Sequence, residues 1–297
     1  MSKVIGKIII RRPLWFALGL AGTALPISWV WAGDAGVAAL AIPTSLVSLK
    51  QDSYLHFNRT PDQVLRPMTV DGAQTLDVGR VQVEMDLAST TLTRSDERMS
   101  TSTSVAPMTV RVGVLRDLDI QLHWSPYNVE RDGAGKVVAE GAEHLEARMK
   151  LNVWGNDGGD SALAIMPYLR IPTPTKAMGN QAVELGLTVP YDQVLPHDWS
   201  LSLSGDVALL KEDEGVGYRP ALNATATLGR PIKGDLSGYI ELSGDVDGAD
   251  WSAPSLGAAA GVSYALRENF AIDAGVCAPL ADPGAELGVA VSAAARF

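Results

Sequence analysis

The chain closes on GVAVSAAARF, residues 288–297, and its side chains alternate up to the last one. Leu287, Val289, Val291, Ala293, Ala295 and Phe297 share one parity, while Gly288, Ala290, Ser292, Ala294 and Arg296 share the other. A soluble domain usually lets its last residues fray. A final strand that ends flush on a large hydrophobe would leave that side chain in water. Such an ending is expected where lipid wets one face of the last strand.

The same period of two runs back to Arg80. VQVEMDL sets Val81, Val83, Met85 and Leu87 against Gln82, Glu84 and Asp86. LDIQLHW sets Leu118, Ile120, Leu122 and Trp124 against Asp119, Gln121 and His123, and LEARMKLNV repeats the pattern with Glu146, Arg148, Lys150 and Asn152 on its polar side. Strict alternation marks half-buried strands. Twelve are expected, over about 80–94, 105–115, 118–127, 142–154, 161–171, 181–190, 198–210, 218–229, 235–245, 255–266, 269–278 and 286–297, with ends uncertain by roughly two to four residues. Many reach the ~9–11 residues that cross a bilayer when tilted.

Connections alternate too. Arg116-Asp117, RPIKGD and Arg267-Glu268-Asn269 are tight, whereas SPYNVERDGAGKVVAEG, PTPTKAMGN, LKEDEGVG, DVDGADWSAP and APLADPGA are long and polar. Short turns on one side and long loops on the other suit an all-β, twelve-stranded, antiparallel up-and-down transmembrane β-barrel. The Pro190–Asp198 link is too long for its side. A secreted β-sandwich or jelly roll also alternates and is the soluble alternative. In lipid every backbone N–H and C=O must be paired, so the last strand has to join the first. Tyr127, Trp154, Tyr168, Tyr191, Trp199, Tyr218, Tyr264 and Phe297 fall near the expected strand ends.

The N-terminus reads differently. MSKVIGKIIIRR carries Lys3, Lys7, Arg11 and Arg12, and an apolar stretch follows that ends Val30-Trp31-Ala32. This is the pattern of a secretory signal peptide over 1–32. Without it, 20 Lys and Arg face 34 Asp and Glu. A chain this acidic is a poor partner for nucleic acid. Cys277 is the only cysteine, so no disulfide framework exists. Residues 33–79 precede the strands and are expected to form a periplasmic segment or a lumen plug, with the barrel over 80–297.

RPMTVDGAQTLDVGRVQVEMDL (66–87), VRVGVLRDLDIQLHW (110–124) and ALAIMPYLRIPTP (162–174) resemble a family of outer-membrane proteins named for a MetA pathway of phenol degradation. The likeness spans about 65–297. It implies a Gram-negative outer-membrane barrel that passes small solutes, aromatic ones among them. The family supplies no established site residues. The C-terminal Phe297 strand is similar to the signal by which such precursors reach the barrel-assembly machinery.

Parity places Glu84, Asp86, Asp119, Glu146, Glu184, Asp206, Glu241 and Asp273 on the inward face, with Arg111, Arg148, Lys150 and Arg170. Lys or Arg on the lipid face would cost ~2–4 kcal/mol at the midplane, so these charges belong in the lumen. They are the candidate pore-lining residues. Opposed acidic and basic walls would orient solutes in a narrow pore, or would pair across a filled lumen as in small barrels. His123-x-Ser125 is similar to the His-x-Ser of the outer-membrane phospholipase, but His123 faces inward and Pro126 follows Ser125. GDSA (159–162) lacks a downstream Asp-x-x-His and reads as a turn. His56, His123, His144 and His197 show no ligand spacing. KEDEGVG and DVDGAD miss the Ca²⁺-loop pattern and read as solvated loops facing lipopolysaccharide. No enzyme, cofactor or metal is therefore expected. The expectation is a passive channel for small solutes, aromatic or carboxylated, or else a non-conducting structural or interaction barrel in outer-membrane lipid.

Overall fold

A computed structural model describes residues 29–31, 38–40, 71–95, 98–172, 182–212, 217–281 and 284–297. Two short strands, β1 (Trp29–Trp31) and β2 (Ala38–Leu40), pair with each other in a unit spanning Met1–Leu55. The second unit, His56–Phe297, holds one sheet of fifteen strands. These are β3 (Val81–Ser95), β4 (Arg98–Val105), β5 (Met108–Leu115), β6 (Leu118–Trp124), β7 (Tyr127–Asp132), β8 (Val137–Gly141), β9 (Leu145–Trp154) and β10 (Ser161–Ile171). β11 (Glu184–Leu195), β12 (Trp199–Lys211), β13 (Tyr218–Lys233), β14 (Leu236–Asp247), β15 (Ser255–Arg267), β16 (Phe270–Ala281) and β17 (Gly284–Arg296) complete it. No helix occurs among the described residues.

Fifteen strands make twelve staves. β3 pairs with β4 along its second half and with β5 along its first half, so β4 and β5 are one stave broken at Ala106-Pro107. Ala106 takes a left-handed φ of 55° there, and Pro107 has no N–H to give the ladder. Its carbonyl still accepts from Asp86 N at 2.9 Å. β6 and β7 form a second broken stave, interrupted at Ser125-Pro126, and β8 with β9 a third. Every pairing is antiparallel, and β17 closes onto β3 from Arg296↔Gln82 to Gly284↔Ser95. Phe297 is not frayed. Its N–H donates to Val81 O at 2.8 Å and its carbonyl accepts from Val81 N at 3.2 Å. The ring stands outside, 67% exposed.

Burial is inverted relative to a soluble domain. Lys150 and Asp119 are wholly buried, while Ile240, Leu242, Val289 and Val291 stand exposed on the outer face. The buried apolar cluster consists of Ala73, Ala162 and Ala164 alone among the described residues. Continuous apolar surface of this extent is not tolerated by water, but it is the band a transmembrane barrel presents to lipid. The soluble sandwich is thereby excluded.

Several connections differ from expectation. β11 runs on to Leu195, leaving only 196–198 as the turn that had looked too long. SPYNVERDGAGKVVAEG is not a loop but the β7–β8 hairpin, tied by Asp132 N→Lys136 O at 3.0 Å. Strand also occupies most of APLADPGA, up to Ala281 and again from Gly284. Tyr168 is not at a strand end. It lies within β10, buried and inward. All of PTPTKAMGN after Pro172, and the centre of KEDEGVG, lie outside the described residues.

Candidate functional site: a lumen with two unlike walls

All twelve residues proposed to line the lumen fall on its inward parity, but they divide into two groups. The first wall is formed by β5, β6, β9, β10 and β11, and its charges neutralise one another. Arg111 Nη2 meets Asp119 Oδ2 at 2.8 Å and its Nη1 meets Glu84 Oε1 at 3.2 Å. Glu146 accepts from Arg148 Nε on one oxygen and from Arg170 Nε at 2.7 Å on the other. Arg170 Nη1 stands 3.8 Å from Glu184, and its guanidinium lies 5.1 Å from the Tyr168 ring centre. Glu184 also caps β12 by accepting from Lys211 N at 2.9 Å.

Residues 71–77 lie against this wall, inside the ring of strands. Lys150 Nζ donates to Gly72 O at 2.8 Å and stands 3.7 Å from Asp71, which also accepts from Arg148 Nη1 at 3.0 Å. The backbone N–H groups of Ala73, Thr75 and Leu76 donate to Asp192 at 2.7 Å, Asn156 at 3.1 Å and Asp119 at 3.2 Å. Asn152 Nδ2 and Arg111 Nη2 donate in turn to the carbonyls of Ala73 at 2.8 Å and Gln74 at 3.3 Å. The segment therefore satisfies its backbone with wall side chains rather than with a ladder. Burial alone would raise the Asp71 carboxyl, but Lys150, Arg148 and Arg111 override it and hold it below the ordinary carboxylate range. Gly113 is required by this packing, because a Cβ there would stand 2.0 Å from Asp77 O.

The second wall runs through β12–β17 to β3 and carries acids with hydroxyl partners. Thr188 and Tyr168 donate to Asp206 at 2.8 and 3.1 Å, Thr227 to Glu241 at 2.8 Å, and Ser292 to Asp86 at 2.7 Å. Tyr239 donates to Asp273 at 3.4 Å. Two tyrosines follow one rule here. Tyr168 of β10 covers Gly186 of β11 and reaches Asp206 of β12, while Tyr239 of β14 covers Gly261 of β15 and reaches Asp273 of β16. A Cβ at Gly186 or Gly261 would come within 2.3 Å of the tyrosine side chain, so each glycine is the trough in which a ring lies.

Space in the lumen follows the second wall. A cavity of about 350 Å³ is lined by Asp86, Tyr239, Glu241, Ser243, Asp245 and Ser255. Another of about 320 Å³, toward the end that carries Phe297, is lined by Trp199, Ser202, Thr227, Arg230, Ser237 and Tyr239. Tyr239 borders both. The hydrolase candidate does not assemble: His123 Nδ1 is 3.0 Å from Thr109 Oγ1, whereas Ser125 Oγ donates to Asn128 at 3.1 Å. No cluster of three or more metal-ligating side chains occurs among the described residues.

Sequence reasoning missed Asp71, Asn156, Asp192 and Ser202. Asp192 was hidden in the supposed link, and Ser202 has the inward parity of Asp206 but no charge to draw notice.

The sequence from 48 to 293 matches the family described as "Putative MetA-pathway of phenol degradation". The chain belongs to that family. No curated protein sequence matches it. Among solved structures, the COG4313 outer membrane channel from Pseudomonas putida F1 shares the fold with a TM-score of 0.61 at 15% identity, covering 78% of this chain and 100% of that one. Weaker likenesses are the NanC porin (TM-score 0.47, 6% identity, 72% of this chain and 98% of that) and the CymD monoaromatic hydrocarbon channel (0.45, 9%, 74% and 89%). The chain is thus a closed, twelve-stranded antiparallel transmembrane barrel.

Proposed function

We propose that this barrel is a passive channel of the Gram-negative outer membrane for small solutes, with residues 71–77 acting as a lumen plug on one side. The observation that carries this reading is the pair of cavities meeting at Tyr239 along the second wall, beside a first wall that the segment fills. Solutes pass along the second wall, bounded by Asp86, Asp206, Glu241 and Asp273. Arg111, Glu146, Arg148, Lys150, Arg170 and Glu184 hold the plug and one another. Of the two solute classes, this arrangement favours small aromatics over carboxylates, because the inward bases of the first wall are already matched to acids or plug carbonyls. Family membership agrees with an aromatic solute.

Residues 1–32 act as the export signal in this reading, and Phe297 as the mark read by the barrel-assembly machinery. Lipid surrounds the apolar band, with lipopolysaccharide at the end distant from Phe297. A filled, non-conducting barrel is the second reading, favoured by the ionic lattice of the first wall. Planar bilayers separate the two. The full chain is expected to give small, ohmic single-channel steps, and liposomes carrying it are expected to swell in benzyl alcohol faster than in benzoate. Correct insertion without current would sink the channel.

A further inference from the structure

We propose that Asp273, together with Asp86 and the ring of Tyr239, forms a binding station for a protonated amine on the second wall of the lumen. The inference rests on the channel reading and names the charge class the passage favours.

Asp273 is the telling residue. It is inward on β16 and only 8% exposed. One carboxylate oxygen accepts the long 3.4 Å bond from Tyr239, while Oδ2 is buried with no hydrogen-bond partner among the described residues. Buried polar atoms are rarely left this way, and a buried charge is normally paired. Among the described residues no ion pair reaches it. Arg219 is spent on Asp247 at 2.6 Å, Arg230 stacks 5.0 Å over Trp199, and Arg296 donates to Gln82 at 3.1 Å. The cavity lined by Tyr239, the hydrogen-bond partner of Asp273, has Asp86, Glu241 and Asp245 in its lining and no base. A wall of one sign concentrates the opposite ion.

The register decides which kind of cation fits. Asp273 pairs with Ser292, and Ser292 with Asp86, so the two acids share one row across three strands. Their backbones are about 9–10 Å apart at the usual strand spacing, with the Ser292 hydroxyl between them already given to Asp86. Two carboxylates make too few ligands for a metal ion, and no cluster of three or more metal-ligating side chains occurs among the described residues. An ammonium has three donors on one nitrogen and no acceptor, and can give an N–H to Asp273 while Asp86 adds its field from the same row. Tyr239 offers a ring to the apolar part of the solute or to the cation itself. The cavity of about 350 Å³ suits a small aromatic amine.

Planar-bilayer recordings on the full chain test this, with benzylammonium as the probe and benzyl alcohol and benzoate as its neutral and anionic counterparts. Under a KCl gradient the reversal potential is expected on the cation side, and benzylammonium is expected to interrupt the K⁺ current where the other two do not. Asp273→Asn should weaken that block roughly tenfold, in line with the loss of a hydrogen bond to a charged group. Asp86→Asn, a change at a less buried position, should weaken it in the same direction. Asp250→Asn, in an exposed loop, should not. An absence of current from inserted barrels would overturn the channel and the station together. Anion-selective current would overturn the station alone. So would a block that Asp273→Asn and Asp86→Asn leave unchanged, or that Asp250→Asn weakens equally.

Discussion

The two walls of the lumen share one alternation of inward polar and outward apolar side chains, yet they have opposite electrostatic characters. On the β5–β10 side, Asp119 and Glu146 meet bases within ion-pair distance, and the segment 71–77 supplies carbonyls and Asp71 for the remaining donors. On the β12–β17 side the acids meet hydroxyls, which orient a carboxylate without cancelling its charge. A balanced wall is a structural element that holds a segment. An unbalanced one keeps a field in the lumen and so can act on a solute.

The largest effect that can break this comparison is expected on the first wall. Asp119→Ala removes the partner of Arg111 Nη2 and the acceptor of Leu76 N. Breaking a buried pair from one side costs about 3–5 kcal/mol. The heat-modifiable band of the folded barrel should therefore unfold at a distinctly lower temperature, and single-channel current should rise as the segment loosens. Asp206→Ala on the second wall strands only hydroxyls, so it should lower that temperature far less. Equal losses from the two variants would erase the distinction between the walls.

A second change probes the outer surface both walls share. Ile240→Arg, near the middle of β14 and exposed to lipid, should destabilise the vesicle-embedded barrel by ~2–4 kcal/mol, read by denaturant unfolding. A third isolates the passage. Gly261→Ala puts a Cβ 2.3 Å from the Tyr239 hydroxyl, forces the ring off the wall, and should cost about 1–3 kcal/mol as overpacking does. Its sharper readout is a fall in conductance, with recovery in the Gly261→Ala/Tyr239→Leu double variant. Recovery would place the obstruction in the ring rather than in the backbone.

How much of this could be read from sequence follows from what lipid touches. Where both faces of a strand have fixed solvents, hydrocarbon outside and charge inside, alternation exposes the strand and the direction of each side chain. Glu84, Arg111, Lys150 and Asp273 stand on the parity opposite the exposed apolar side chains for that reason. Where the barrel wall continues as β4 or as the β7–β8 hairpin, RMSTSTSV and YNVERD carry polar residues on both parities, and the signal vanishes although the ladder does not. The division into two walls was also hidden, because it depends on register. That Tyr239 lies over Gly261 needs the pairing of β14 with β15, and nothing in the order of residues states it. The lumen contacts of Asp71 had no signal at all, since the segment 71–77 has no period and borrows its hydrogen bonds from the wall.

The smallest predicted effect concerns pH and the attachment of that segment. Asp71 lies outside the strands, and Lys150, Arg148 and Arg111 hold its carboxyl below the ordinary carboxylate range. A depressed acid contributes stability that is complete above its unfolded value and is lost only as pH falls through the lowered folded value. The docked segment should therefore be indifferent to acidification from neutrality down to the ordinary carboxylate range, and weaken only below it. Single-channel conductance should stay level over the first interval and rise over the second. Asp71→Asn removes the titrating group, so its conductance should already be raised at neutral pH and should lose this acid-dependent step. A conductance that climbs steadily from neutral pH in the parent chain would mean that Asp71 is not what ties the segment to the balanced wall.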